Sequence, residues 1–252
     1  MTTKPHPVHK TQIEIVREWD DIALLRHEQI SSFLDVTYHS ILIPAITKLC
    51  GVDVGGARVI DIGCGTGHLT SILAVSAREV VGVDPSSKSV AIASVLNRQF
   101  SNVRFRVGTV EGFSRHHVHS YFQLGVANMV LMDCLSLFDA VHAIGQLLEV
   151  GASLVCTVTH PWFWSVYWGY CNEPWFSYSQ EMAVEAPFRI TAQSSSFVTT
   201  HMHRPFESYF SVLRQCGFVV TDLWELPVGN GSAVNSQSFP RYLAFRARLV
   251  SK

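Results

Sequence analysis

Asp61, Gly63, Gly65 and Gly67 stand at alternate positions of the run Val59-Ile60-Asp61-Ile62-Gly63-Cys64-Gly65-Thr66-Gly67, and a second apolar run, Val80-Val81-Gly82-Val83, ends on Asp84. The glycines let the backbone take positive φ and keep side chains away from the turn and the helix start behind it. Asp84, at the end of the next strand, then sits beside that turn, where a carboxylate can accept both hydroxyls of a ribose. The first inference is a nucleotide-like ligand. The alternative is a bare strand-to-helix turn with Asp84 as the N-cap before Pro85, but an N-cap needs no glycine loop upstream.

The spacing separates two ligand classes. A dinucleotide fingerprint has G-x-G-x-x-G, whereas here the glycines fall at every second residue and Asp61 precedes the first by two. Asp61 would repel a pyrophosphate and attract a ligand with an ammonium and a sulfonium, which points to S-adenosylmethionine. Transfer of its methyl group is an in-line displacement, so orientation alone can supply much of the rate. A base is needed only where the acceptor carries a proton, and histidine suits neutral pH. Of the twelve histidines, His160 at a strand end and His203 before a late helix are the candidate bases, with His201 beside the acceptor. Each also fits a hydrogen-bonded structural role. Arg204 fits a carboxylate on the acceptor or a surface ion pair.

The run from His160 to Tyr178 has the strangest composition, with Trp162, Phe163, Trp164, Tyr167, Trp168 and Tyr170 showing neither helical nor strand period. Such rings suit a lid over an apolar acceptor, with Trp162, Phe163 and Trp164 against it. They equally suit a contact between subunits of a homo-oligomer.

The elements that must hold these residues follow from periodicity. Helical spacing marks residues 13–49, 69–77, 90–96, 138–148 and 205–215, and strand patterns mark 59–62, 80–84, 103–107, 121–131, 152–159, 218–226 and 242–249. Strands alternating with helices imply a mostly parallel sheet. The last two strands, joined only by a polar loop from Gly229 to Ser238, must pair antiparallel, directly or across a neighbour. A nicotinamide-dependent oxidoreductase, opposed also by Asp61, would not be expected to end this way. In open α/β sheets the ligand lies over the strand carboxyl ends, so Asp61, Asp84, Thr109, Asn128 and His160 should ring one crevice. Asn128 fits either a contact to the ligand or a hydrogen-bonded strand end.

Composition narrows the partners. With 252 residues and 48% apolar content the chain suits one α/β domain with an extension. Its net charge of −1 and lack of a basic stretch argue against nucleic acid. No secretory signal or span long enough for a bilayer is read, which leads to a cytoplasmic expectation without membrane attachment. Six cysteines without a C-x-x-C pair indicate neither a metal site nor a disulfide scaffold.

Asp61, the three glycines, Asp84 and the two apolar runs, in that order, resemble the first two motifs of class I S-adenosylmethionine-dependent methyltransferases. Ala127-Asn128-Met129-Val130-Leu131-Met132-Asp133 and Thr159-His160-Pro161 are similar to the fourth- and fifth-strand ends of the small-molecule "type 11" group. His203-Arg204-Pro205 with Tyr209-Phe210, and Cys216-Gly217-Phe218 closing on Glu225-Leu226-Pro227, are similar to its late helix and sixth strand. The resemblance implies an α/β fold, a doubly wound and mostly parallel seven-stranded sheet with an antiparallel last strand. It divides the chain into a helical N-terminal cap, residues 1–50, and a methyltransferase domain, residues 51–252, with an aromatic-rich insertion at 160–200. It implies S-adenosylmethionine as cofactor, held by Asp61, Gly63, Gly65, Gly67, Asp84, Pro85 and the 109–111 loop, with Asn128 near the methionine end and Tyr38 reaching in from the cap. One departure is that the family's Gly-Asp-Ala-Glu, whose Asp contacts the adenine amine, reads Gly108-Thr109-Val110-Glu111 here. Thr109 still offers a hydroxyl, Val110 a backbone amide and Glu111 a carboxylate. The implied activity is methylation of an oxygen or nitrogen of a small, largely apolar or aromatic biosynthetic intermediate. A C-methyltransferase and an inactive cofactor-binding module are the alternatives.

Overall fold

The computed structural model describes residues 4–119, 121–226 and 239–252, so the expected loop at 229–238 lies outside the described residues. In chain order the elements are β1 (His6–Val8), α1 (Gln12–Ser31), a π-helical turn (Tyr38–Leu42), α2 (Ile43–Cys50), β2 (Arg58–Ile62), α3 (His68–Ala74), β3 (Glu79–Asp84), α4 (Ser87–Leu96), β4 (Val103–Val107), α5 (Val110–Ser114) and β5 (Phe122–Asn128). The chain continues through α6 (Leu137–Leu147), β6 (Leu148–Thr159), α7 (Phe163–Trp168), β7 (Met182–Ile190), β8 (Gln193–His203), α8 (Phe206–Gln215), β9 (Phe218–Leu226) and β10 (Tyr242–Leu249).

The main sheet has the order β4-β3-β2-β5-β6-β10-β9. Its first five strands are parallel, and β10 is inserted antiparallel between β6 and β9. The central strands read as unbroken apolar runs because helices cover both faces. Alternation within β2 shows this: Val59 joins the core under α2 and α3, while Ile60 and Ile62 join the core under α6 and α8. Each fully buried aliphatic side chain of this kind contributes about 1.5–3 kcal/mol.

Two features depart from the sequence reading. The N-terminal segment is not helical throughout, because β1 pairs antiparallel with β7. The 160–200 segment is not an irregular lid; after the short α7 it forms the hairpin β7–β8, so β1, β7 and β8 make a second, three-stranded sheet. Pro187 cannot donate to a ladder, and the register of the hairpin shifts between Pro187 and Arg189. The start of α1 follows from a capping box, in which Glu14 N donates to Thr11 Oγ1 at 3.3 Å and Thr11 N to Glu14 Oε2 at 2.7 Å. Among the described residues no helix is long and apolar enough to cross a membrane.

Candidate active site

The strand order reverses at β2, whose neighbours are β3 on one side and β5 on the other. Loops leaving adjacent strands diverge there and open a crevice above their carboxyl ends. A cavity of about 210 Å³ occupies it, lined by Tyr38, Asp61, Gly63, Gly65, Asp84, Pro85, Thr109, Val110, Glu111 and Asn128. The structure thus brings together ten of the eleven residues expected around the cofactor.

Gly67, the eleventh, acts from behind. A Cβ there would lie 2.8 Å from Ala93 Cβ and 2.7 Å from Asn97 Nδ2, so the glycine lets the helix start pack against α4. Gly65 differs: its φ is +50° and an added Cβ would meet nothing within 4 Å, which leaves open space against the loop backbone. The loop is tied to β3, since Gly63 N and Cys64 N donate to Val83 O at 2.7 and 3.2 Å.

Two of the cavity's carboxylates stand at the ends of β2 and β3. Asp84 accepts Gly65 N at Oδ2 and Ser86 N at Oδ1, both at 2.8 Å, which fixes the carboxylate and leaves a further lone pair on each oxygen. Burial pushes its pKa up to about 6, against these bonds. Asp61 is 1% exposed and accepts from Thr70 Oγ1 at 2.6 Å. Burial pushes it up to about 7, the Thr70 bond opposes this, and the charge of Asp84 adds to the rise. Two carboxylates held so reluctantly charged form a site for a cation and for hydroxyl donors.

Around them, Thr109 caps α5 through Gly112 N at 3.2 Å. Asn128 Oδ1 accepts from Thr157 Oγ1 at 2.7 Å, and Met129 N donates to both Thr157 O and Thr157 Oγ1. Tyr38 is buried in the π-helical turn, and burial raises its hydroxyl pKa.

Several lining residues escaped sequence reasoning. Met129 has φ +59°, a conformation costing a non-glycine residue about 1–2 kcal/mol, and no residue type there signals it. Gln12, Ile15, Val16 and Trp19 of α1 form an apolar wall, with Asp133 and Cys134 from the turn after β5. The helical period of α1 revealed a buried face but not what it faces. Arg26, also lining the cavity, donates to Asp35 Oδ2 and Gln29 Oε1 at 2.9 Å. His68 opens α3 at 3.2 Å from His27, and burial pushes its pKa down to about 4.

The residues expected at the acceptor stand elsewhere; none of His160, Trp162, Phe163, Trp164, His201, His203 or Arg204 lines the cavity. The chain leaving β6 runs toward β10, where His160 N donates to Arg241 O at 2.8 Å and Phe163 stacks on Phe239. Trp164 packs on Trp168 and Tyr242, and Trp162, 53% exposed, meets Tyr178 edge-on. His160 has both ring nitrogens engaged, with Glu225 Oε1 at 3.1 Å and with the N–H groups of Trp162 and Phe163 at 3.2 and 3.3 Å. It caps the turn into α7. His203 Nε2 donates to Tyr178 O at 3.0 Å, His201 meets the Tyr170 hydroxyl at 3.2 Å, and burial lowers the pKa of all three histidines, His201 to about 3. Arg204 makes the expected ion pair, with the half-exposed Glu181 Oε2 at 3.1 Å, but is itself 1% exposed and also donates to Leu131 O, Cys134 O and Leu135 O. Its donors serve the loop behind the cavity.

Comparison with known proteins addresses the same residues. A family model described as a methyltransferase domain matches residues 53–168, from ahead of β2 through α7. Residues 53–168 carry a methyltransferase domain. A ubiquinone biosynthesis O-methyltransferase of Rhizobium johnstonii is 43% identical over 60 residues, 23% of this chain and 24% of that protein. The match thus spans about a quarter of that curated relative. The solved structure of 1,6-didemethyltoxoflavin-N1-methyltransferase from Burkholderia thailandensis, with bound 1,6-didemethyltoxoflavin and S-adenosylhomocysteine, shares the fold at a TM-score of 0.63 and 17% identity, over 99% of this chain and 100% of that one. An S-adenosylmethionine-dependent methyltransferase from Clostridium acetobutylicum gives 0.63 and 16%, over 92% and 99%. The residues present fit S-adenosylmethionine in this methyltransferase domain: open space at Gly65, fixed carboxylate oxygens at Asp84, and a buried Asp61 that a cationic ligand would return to its charged form.

Proposed function

We propose that the chain transfers the methyl group of S-adenosylmethionine to an oxygen or nitrogen of a small, largely apolar or aromatic biosynthetic intermediate. The observation that carries this reading is a single cavity, with the Asp61–Gly65–Asp84 cradle on its sheet side and the apolar wall of Ile15, Val16 and Trp19 on its α1 side. When bound, S-adenosylmethionine supplies an electrophilic methyl group on a sulfonium. Asp84 would accept the ribose hydroxyls, and Thr109 and Val110 would flank the adenine. Asp61 would face the positive charge of the methionine moiety, and Arg26 is the cation at hand for its carboxylate. The α1 wall would exclude water and orient the acceptor, which is where positional catalysis acts. The O-methyltransferase named among the relatives and the N-methyltransferase among the structural neighbours support a heteroatom acceptor. We read residues 1–50 as the roof of this site and 160–200 as the insertion that braces it.

Calorimetric titration with S-adenosylhomocysteine and, separately, with NAD tests the cofactor. Release of S-adenosylhomocysteine from S-adenosylmethionine over a panel of phenols and ring N–H heterocycles tests the reaction. Binding of NAD in place of S-adenosylhomocysteine would refute the reading.

A further inference from the structure

Asp133 ends the short turn Leu131–Asp133 that follows β5. The turn is gripped from two sides. From α1, Gln12 Nε2 donates to Asp133 O at 3.2 Å and Gln12 Oε1 accepts from Leu135 N at 3.0 Å. From the end of β8, the buried Arg204 donates to Leu131 O at 3.0 Å, to Leu135 O at 2.9 Å and to Cys134 O. With its main chain held this way, Asp133 lines the ligand cavity, and its carboxylate makes no hydrogen bond to any other described residue. Asp133 is half-buried, so its unpaired carboxylate stays open to the cavity, and a carboxylate that faces a ligand site in this way is a candidate for use by the ligand or the reaction.

Its position says which ligand. Asp61 and Asp84 face the cavity from the ends of β2 and β3, whereas Asp133 comes from beyond β5, beside the α1 wall of Gln12, Ile15 and Val16. We propose that Asp133 is the catalytic base of this site, taking the proton of the hydroxyl or ring N–H that receives the methyl group. The proposal rests on the methyltransferase reading and narrows its acceptor to phenols and N–H heterocycles, as against tertiary amines or thioethers, which carry no such proton. In the step, the acceptor oxygen or nitrogen gains a bond to the methyl carbon, and the carbon–sulfur bond breaks with its electron pair left on sulfur. The sulfonium charge is thereby discharged, and the acceptor proton passes to a carboxylate oxygen of Asp133.

The charged surroundings suit that task. Burial comes first in lifting the proton affinity of Asp133 well above the ordinary carboxylate range; Glu18 of α1 and Asp84 of β3 add to the rise, and Arg204 opposes it. Glu111 of α5 lines the same cavity. A base works best when its pKa approaches the working pH.

The test uses the full chain labelled with ¹³C at the aspartate carboxyls. Wild type should show a carboxyl that titrates far above the ordinary aspartates and that Asp133→Asn removes. Asp133→Asn keeps the side-chain shape and both main-chain grips, so S-adenosylhomocysteine affinity should be retained. Turnover of a phenol or ring N–H acceptor should fall by about 10²- to 10⁴-fold, with part of it restored in Asp133→Glu. The proposal is overturned if the carboxyl lost in Asp133→Asn titrates in the ordinary range, or if that variant turns over such an acceptor at the wild-type rate. It is also overturned if the variant loses cofactor affinity as Asp84→Ala does, because Asp133 would then hold the cofactor. Failure of wild type to bind S-adenosylhomocysteine would instead sink the methyltransferase reading.

Discussion

Asp61→Asn should make the ligand-free protein more stable at pH 8 and a poorer binder of its cofactor. Asp61 is 1% exposed, and its pKa rises from 3.8 to about 7. The folded state therefore binds this proton more tightly than the unfolded chain does, and stability falls as pH rises from about 4 to about 7, then levels off. Three pKa units at about 1.4 kcal/mol each put the full cost of the charged form near 4 kcal/mol. Asparagine keeps an oxygen for the Thr70 hydroxyl and removes the charge, so most of that cost disappears. Even half of it would raise the melting temperature by about 4–8 °C in a chain of this size. Cofactor affinity moves the other way: loss of a charged partner costs about 1.5–3 kcal/mol, roughly 10- to 100-fold. Scanning fluorimetry of both proteins from pH 4.5 to 8.5, with titration calorimetry at pH 7.5, reads both effects. The two melting curves should converge toward pH 4.5 and separate toward pH 8. A variant less stable than wild type at pH 8, or a wild-type curve that runs parallel to it, would refute the account of Asp61.

Asp84→Ala should weaken S-adenosylmethionine binding by roughly 10- to 100-fold, as expected for two lost bonds to a charged acceptor; unchanged affinity in a folded variant removes the ribose assignment. Affinity for S-adenosylhomocysteine in wild type should fall as pH drops from 7.5 to 5.5, because Asp61 near 7 and Asp84 near 6 take up protons that the ligand's ammonium and ribose hydroxyls must displace; an affinity flat over that range contradicts it. His160→Ala should lower stability by about 1–3 kcal/mol through its unpaired Trp162 and Phe163 N–H groups while cofactor affinity stays, and a variant that melts like wild type contradicts the capping role. Trp19→Ala should weaken acceptor binding with cofactor affinity intact, and calorimetry showing the reverse would place the indole over the cofactor.

How much was legible in the chain depends on the range of the interaction. Strands 103–107, 218–226 and 242–249 form with the bounds that periodicity gives them, because each carries a more covered face set by its own residues. The cofactor cradle was readable for a related reason: Asp61, the glycines and Asp84 lie at the ends of two strands paired in register, Ile62 opposite Val83. Local order along the chain and proximity in space coincide there. At the acceptor side they separate. His160, Trp162 and Trp164 follow a strand end directly, and short reach suggested a place in the crevice. Direction decided otherwise, since β6 has β10 as its other neighbour and the rings packed on Phe239 and Tyr242. For Arg204 the ion pair was legible, with Glu181, but its burial was not, because its other partners are main-chain carbonyls some seventy residues away, which no residue pattern announces.

The displaced aromatic segment and the unforeseen wall are consequences of one arrangement. A strand as short as β1 has little stability alone. Pairing with β7 anchors it, and Lys10 just after it bridges Glu18 of α1 and Glu185 of β7. Glu18 also accepts from Thr200 N of β8 at 2.7 Å. The hairpin that the 160–200 segment becomes is therefore the beam on which α1 hangs, and α1 presents Ile15, Val16 and Trp19 to the cavity. The 160–200 segment thus seats the α1 wall of the cavity without supplying the rings that line it. Substitutions in β7 and β8 should consequently alter acceptor selection through the seating of α1, with the sheet-borne cradle of Asp61 and Asp84 left as it is.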